Sequence, residues 1–105
     1  MKEEHLARLK SSDKPLAKII AKATESWSNK TGRKYPTLHD PLAIETIFRE
    51  DIVETKSGIV KVELNGDHTY SYTIFSESEE DGPHTVCSDV KADEAVELCI
   101  ERIIS

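Results

Sequence analysis

The sequence predicts an α+β fold, in which helices near both ends of the chain pack on a small, mainly antiparallel sheet. Two observations lead to this class. Apolar residues recur at helical spacing within 13–31 and 92–104, and they alternate with polar residues at period two within 58–90. The chain has 105 residues, so it is one domain or a piece of one, because domains typically run about 100–150 residues.

The long helix predicted over 13–31 begins near Ser12 or Asp13, either of which could accept hydrogen bonds from the first-turn amides. Pro15 suits the first turn, where no intrahelical hydrogen bond is lost, and Gly32 is a natural end. The helix carries one apolar stripe, formed by Leu16, Ile19, Ile20, Ala23 and Trp27.

Two further helices are predicted from the same kind of pattern. The C-terminal helix, 92–104, has an acidic face and an apolar face. The apolar face consists of Val96, Cys99, Ile100 and Ile103. A shorter helix over 2–10 offers only Leu6 and Leu9, so it is expected to rest on another element.

The predicted sheet begins with residues 59–64, which alternate apolar and polar side chains. The following Asn65-Gly66 pair indicates a tight hairpin, because both residues tolerate positive φ. The return strand is predicted over 69–75, and a third strand over 85–90. The acidic loop that joins them, 76–83, is expected to be a solvated turn.

The composition argues against several classes of partner. The net charge of −6 disfavours a nucleic-acid or anionic-membrane surface, since either would need a basic patch. No run approaches the ~18–20 apolar residues of a membrane span, and the N-terminus lacks an apolar signal-peptide core. Cys87 and Cys99 have no metal-ligand spacing and are expected to be reduced. We therefore expect a cytoplasmic protein with neither a nucleic-acid nor a membrane partner.

The segment 38–49 reads as a loop and a short helix, and it places a histidine beside a carboxylate. Asp40 is expected at the N-cap and Pro41 at the first helical position. Taken alone, this pattern is also that of an ordinary helix start, with His39 as a plain loop residue. The functional alternative is that the carboxylate ligates a hard cation and the imidazole moves a proton near neutral pH.

The hexapeptide 38–43, Leu-His-Asp-Pro-Leu-Ala, resembles the C-terminal signature of the inosine-uridine preferring nucleoside hydrolase family. The segment 12–18, the predicted strands and the C-terminal helix resemble the elements around that signature. The resemblance therefore implies a C-terminal fragment of the family's α/β fold, with this chain corresponding to about the last third of a member.

The resemblance also implies a chemistry, the hydrolysis of the N-glycosidic bond of ribonucleosides to a free base and ribose. A Ca²⁺ cofactor is implied, with Asp40 matching its late ligand and His39 matching the histidine that assists the departing base. Trp27 and Tyr35 match aromatic side chains that contact the base. The alternative for Trp27 is a core residue that closes the apolar stripe of its helix.

The family's aspartate-rich DxDxxxDD motif, which supplies most of the Ca²⁺ ligands, has no counterpart in this sequence. One carboxylate cannot hold a cation that takes about six to eight oxygens. We therefore expect ribonucleoside binding only if an N-terminal portion completes the site, and inactivity of the chain alone. The alternative, from a different class, is a stand-alone, non-catalytic α+β module that binds a partner chain or self-associates to cover apolar faces and strand edges.

Overall fold

The structure, a computed structural model, describes residues 1–78 and 82–105. These ranges contain four α-helices, a 3-10 turn and three antiparallel strands, which confirms the α+β class. The elements are α1 (Glu3–Ser11), α2 (Pro15–Thr31), α3 (His39–Glu45), the 3-10 turn Glu50–Ile52, β1 (Val53–Val62), β2 (Thr73–Glu77), β3 (His84–Val90) and α4 (Ala92–Ile104). None of the helices in these ranges combines the length and apolar character needed to cross a membrane.

The chain divides into two compact units, a helical unit of residues 1–52 with 91–105 and a sheet unit of residues 53–90. In the helical unit α1, α2 and α4 contact one another around a small core, and α3 contacts α4. The buried core residues are Leu9, Ala17, Ala21 and Ile100. The Lys91 amide donates to the Ile52 carbonyl at 2.8 Å, which joins the point where the chain leaves this unit to the point where it returns.

The start of α2 differs from the sequence prediction. Lys14 is the N-cap residue and Pro15 is the first helical residue. The Ser12 hydroxyl accepts a hydrogen bond from the Lys14 amide at 3.2 Å, ahead of the helix, so the prediction that Ser12 or Asp13 caps the first turn is wrong. The reason is the proline, which pushes the residue before it into an extended conformation. The end is as predicted, since Gly32 adopts a φ of 71°.

Helix α2 packs through its small side chains. Its buried residues are Ala17, Ala21 and Thr24. Two residues of the apolar stripe lie to the side of that face, where Leu16 is 52% exposed and Ile19 is 66% exposed. A face of small side chains lets α1 and α4 approach the α2 backbone closely, because no long side chain intervenes. Leu16 and Ile19 are therefore left mostly uncovered, whereas Ile20 is partly buried against the core.

In the sheet unit β1 is the central strand and pairs antiparallel with both β2 and β3. Val62 pairs with Thr73, so residues 63–72 connect β1 to β2. The prediction of a tight Asn65-Gly66 turn is wrong, because the positive φ, 69°, lies at Ser71. Glu63 instead accepts a backbone hydrogen bond from Ser71 at 2.8 Å, and its carboxylate accepts one from the Asn65 amide at 2.9 Å. These bonds stabilise a wider loop.

The acidic loop, which was predicted over 76–83, begins later than residue 76. Strand β2 continues to Glu77, whose carboxylate pairs with the Lys56 ammonium on β1 at 2.8 Å. This ion pair links the Glu77 side chain on β2 to the Lys56 side chain on β1 and stabilises the pairing of the two strands. The acidic residues 79–81 of the predicted loop lie outside the described residues.

Candidate functional site

His39 and Asp40 are the first two residues of α3, and both are exposed. Leu38 is the N-cap residue, so the prediction of Asp40 at the N-cap and Pro41 at the first helical position is wrong by two residues. Pro41 is tolerated at the third position because the first four amides of a helix have no intrahelical acceptor. The first backbone bond of the helix runs from the Leu42 amide to the Leu38 carbonyl, at 3.3 Å.

Of the two aromatic candidates, one lies before the short irregular segment between α2 and α3 and the other lies within it. Trp27 is in the last part of α2, Tyr35 is in the segment that leads to α3, and both side chains are half-buried. The N-terminal ammonium of Met1 donates to the Pro36 carbonyl at 3.4 Å. This bond ties the segment that carries Tyr35 to the beginning of the chain.

Asp40 lines a groove of about 340 Å³ between α3, the turn after it, and α4. The apolar lining comes from Pro41, Ile44, Phe48, Leu98, Cys99 and Ile103. His39, Trp27 and Tyr35 do not line this groove. Asp40 is therefore the only one of the four residues predicted from the sequence that this groove includes.

Glu45, in the last turn of α3, is a candidate that sequence reasoning missed. Its side chain lines the same groove, the residue is 5% exposed, and among the described residues no donor reaches its Oε2 atom. Burial raises the pKa of this carboxyl group, and the nearby Arg49 guanidinium opposes the shift. Glu45 follows Leu38 and Leu42 at intervals of four and three residues. This helical spacing is the sequence signal that could have predicted Glu45 on the inner face of α3.

A second, polar cavity of about 510 Å³ lies beside α1 and α4. His5 is buried and lines this cavity; its Nδ1 accepts from the Lys2 amide at 2.9 Å and its Nε2 lies 3.7 Å from a Glu97 oxygen. Arg8 donates to both oxygens of Glu97, at 2.5 and 2.7 Å. Lys2 and Asp93 form an ion pair at 2.7 Å, which raises the pKa of Lys2 and lowers that of Asp93. These polar groups join α1 to α4.

The described residues do not fit a Ca²⁺ site by themselves. In residues 1–78 and 82–105 no group of three or more His, Cys, Asp or Glu side chains is placed to hold a metal ion. Ca²⁺ takes about six to eight oxygen ligands, and the Asp40 carboxylate can supply at most two of them. A Ca²⁺ site that includes Asp40 therefore needs ligands from outside these residues.

The fold is similar to that of a solved plant nucleoside hydrolase, the PpNRh1 enzyme, with a TM-score of 0.80 and 19% sequence identity. The match covers 100% of this chain and 37% of the plant chain. No protein-family model and no curated protein sequence matches the chain. The similarity defines the fold: this chain has the architecture of part of a nucleoside hydrolase.

Proposed function

We propose that the chain forms the C-terminal part of a ribonucleoside hydrolase, which converts a nucleoside and water to a free base and ribose. The observation that carries the proposal is the match of the whole chain to 37% of a nucleoside hydrolase. The hexapeptide 38–43, which resembles the signature of the inosine-uridine preferring family, supports it and suggests the subfamily. Because the chain spans little more than a third of that enzyme, its contribution would be a portion of the active site.

In this proposal His39 is the acid that assists departure of the base. Cleavage of the N-glycosidic bond leaves an electron pair on a base nitrogen, and a proton delivered there stabilises the leaving group. An imidazole can hold and release a proton near neutral pH, and the exposed position of His39 is open to a substrate. Trp27 and Tyr35 would contribute aromatic surface against the base.

Asp40 is proposed as one ligand of a Ca²⁺ ion whose other ligands come from a preceding portion of the fold. Because the described residues do not fit Ca²⁺ by themselves, we propose that this chain is inactive alone. The exposed stripe of α2, with Leu16 and Ile19, supports the same proposal, since an apolar helix face is normally covered by another element of a complete fold.

The direct test is release of ribose from inosine and uridine by the purified chain in millimolar Ca²⁺. We expect no turnover above the uncatalysed rate, and measurable turnover would overturn the proposed inactivity. A second observation tests the family assignment. An in-frame DxDxxxDD motif in the coding sequence upstream of Met1 would support it, whereas a stop codon followed by a ribosome-binding site would favour a stand-alone module.

A second candidate function is a non-catalytic module that self-associates or binds a partner chain. The exposure of Leu16 and Ile19 on one side of α2 favours it, because contiguous apolar surface often marks an interaction site. Light scattering distinguishes the alternatives. A dimer mass that falls to the monomer mass in Ile19→Glu would support self-association through α2, and a wild-type monomer would contradict it.

We also propose that the protein acts in the cytoplasm. Cys87 and Cys99 are both free thiols, and reducing compartments keep thiols in that state. Cell fractionation with detection of the endogenous chain tests this, and recovery in a secreted or membrane fraction would contradict it.

A further inference from the structure

Asn65 and Gly66 lie in the connection between β1 and β2, outside regular secondary structure. Asn65 is exposed. Among the described residues its one hydrogen bond is donated by the backbone amide, to the Glu63 carboxylate at 2.9 Å, so the side-chain amide is not engaged. The Gly66 amide has no hydrogen-bond acceptor in the same part of the chain. The Asn65 side chain can therefore rotate towards the Gly66 nitrogen.

This arrangement permits a reaction within the chain. The Gly66 nitrogen attacks Cγ of Asn65, the new N–Cγ bond closes a five-membered succinimide ring, and the Cγ–Nδ2 bond breaks to release ammonia. Water then opens the ring at either carbonyl, which leaves aspartate or its isomer isoaspartate. A glycine after the asparagine favours ring closure, because no side chain shields the nitrogen and the backbone rotates freely.

The chain provides an internal comparison for this chemistry. Its only other amide side chain is that of Asn29, because the sequence contains no glutamine. Asn29 is also exposed, but it lies within α2. In an α-helix each backbone amide donates to the carbonyl four residues earlier, so the Lys30 amide is engaged and the rigid backbone keeps it from the Asn29 side chain. Exposure is therefore common to both asparagines, and backbone freedom distinguishes them.

We propose that Asn65 is a modification site that deamidates spontaneously to aspartate and isoaspartate, with water as the only other reactant. Each conversion adds one negative charge to a net charge of −6. The site goes beyond the proposed function, since it needs neither His39 nor a metal ion. Its position in the connection between β1 and β2 also gives the modification a structural consequence.

The new charge lies beside a residue that closes this loop. The Glu63 amide donates to the Tyr72 carbonyl at 2.9 Å, and the Glu63 carbonyl accepts from the Ser71 amide at 2.8 Å. Because the Glu63 carboxylate lies at the Asn65 amide, a carboxylate at position 65 places like charge next to it. Isoaspartate also lengthens the backbone by one carbon atom. Both changes loosen the bonds that join Glu63 to Ser71 and Tyr72.

The test follows the mass of tryptic peptides from the intact 105-residue chain during incubation at mildly alkaline pH. Residues 62–91 and 23–30 each form one tryptic peptide with one asparagine. Deamidation raises the mass by about one dalton, whereas isomerisation of an aspartate leaves the mass unchanged. We expect the gain to accumulate at least about tenfold faster in 62–91 than in 23–30, a barrier difference of about 1.4 kcal/mol. Asn65→Gln should remove the gain in 62–91, because the longer side chain closes a less favourable six-membered ring.

The effect of the charge is tested with Asn65→Asp, which encodes one of the two products. Hydrogen exchange of the Ser71 amide should be about two- to fivefold faster than in wild type, the size expected for two exposed like charges a few ångströms apart. The matched control is the same substitution in Glu63→Gln, which keeps the acceptor and removes its charge. There Asn65→Asp should leave the Ser71 exchange unchanged.

A guanidinium-unfolded sample controls for the reaction itself, since its backbone is free at both asparagines. If 62–91 gains mass in that sample but not in the folded chain, the loop holds Asn65 away from the Gly66 nitrogen and the proposal is overturned. Equal rates for 62–91 and 23–30 in the folded chain would also overturn it. If Asn65→Asp leaves the Ser71 exchange unchanged in the wild-type background, the structural consequence is wrong.

Discussion

Arg49 and Asp51 form a two-bonded ion pair at the 3-10 turn, in which Asp51 is the middle residue. The Nε–Oδ1 distance is 2.7 Å and the Nη2–Oδ2 distance is 2.8 Å, the parallel geometry in which a guanidinium binds a carboxylate most specifically. The pair has a consequence for the helix before it. Arg49 is directed to Asp51, and the buried Glu45 is left without a donor among the described residues.

The first prediction concerns the titration of Asp51. The hydrogen bonds and charge of Arg49 lower the pKa of this carboxyl from 3.8 to about 2. A depressed folded-state pKa gives a contribution to stability that is present above the unfolded pKa and is lost as the pH falls towards the folded pKa. We expect a ¹³C-detected Asp51 titration with a midpoint near pH 2, and a midpoint near 3.8 in Arg49→Gln. A wild-type midpoint near 3.8 would show that the pair does not persist in solution, where exposed ion pairs are often weak.

The second prediction concerns the buried Glu45 carboxyl. Burial raises its folded-state pKa above 4.5, so the folded state binds the proton more tightly than the unfolded state does. Stability should therefore fall as the pH rises from about 4.5 through the raised pKa, and the full penalty is present once the pH exceeds that pKa. Glu45→Met should raise the free energy of unfolding at pH 7 by about 1–3 kcal/mol. Urea unfolding from pH 4 to 8 measures both effects.

Glu45→Gln is the matched control for this pH dependence, because it keeps the shape and removes the charge. It should abolish the fall in stability that wild type shows above pH 4.5. If wild type and Glu45→Gln have parallel stability curves over this range, the Glu45 carboxyl is already satisfied in solution and the prediction is wrong.

The sequence predicted the elements of this fold better than their packing. Helical periodicity in α2 and α4 and alternation in β1 led to the α+β class, because these patterns depend on local geometry. Periodicity located the apolar stripe of α2, but the helix packs through Ala17 and Ala21. Which face of a helix is covered depends on its partners, and alanines give little signal in a pattern of large apolar residues.

The sequence predicted only part of the candidate site, because burial in the site also depends on which elements pack together. The hexapeptide identified His39 and Asp40 as a pair at the start of a helix, and the structure places them there. Glu45 was not identified, because a glutamate is read as a surface residue unless its neighbours are known. Its burial depends on α4, more than forty residues later in the chain, and no local pattern encodes that contact.

The third prediction compares the two faces of α2. Ile19→Glu, at an exposed position, should change the free energy of unfolding by no more than about 0.5 kcal/mol. Ala21→Leu, at a position that is buried against other helices, should destabilise by about 1–3 kcal/mol through overpacking. Chemical denaturation of a monomeric sample measures both. A large loss in Ile19→Glu would show that the apolar stripe is covered in solution.

The fourth prediction concerns a close backbone approach in the sheet unit. A Cβ atom added at Gly58 would lie 2.3 Å from the Ser76 carbonyl oxygen and 2.6 Å from the Phe75 ring. The strand would have to shift, so Gly58→Ala should destabilise by about 1–3 kcal/mol. The control is Ser57→Ala on the adjacent, exposed position of β1. Amide exchange of β1 and β2 measures the effect, and equal exchange in the two variants would contradict the close approach.

The last prediction tests the role proposed for His39. In an assembly of this chain with a preceding portion that restores nucleoside hydrolysis, His39→Ala should lower kcat by about 10²–10⁴-fold, the range for loss of a general acid. The loss should be greatest for nucleosides whose base is a poor leaving group, and small for p-nitrophenyl riboside, because that leaving group needs no proton. The control is His68→Ala, at an exposed position in the connection between β1 and β2. An equal loss for both kinds of substrate would assign His39 a positioning or structural role, since only proton donation depends on the leaving group.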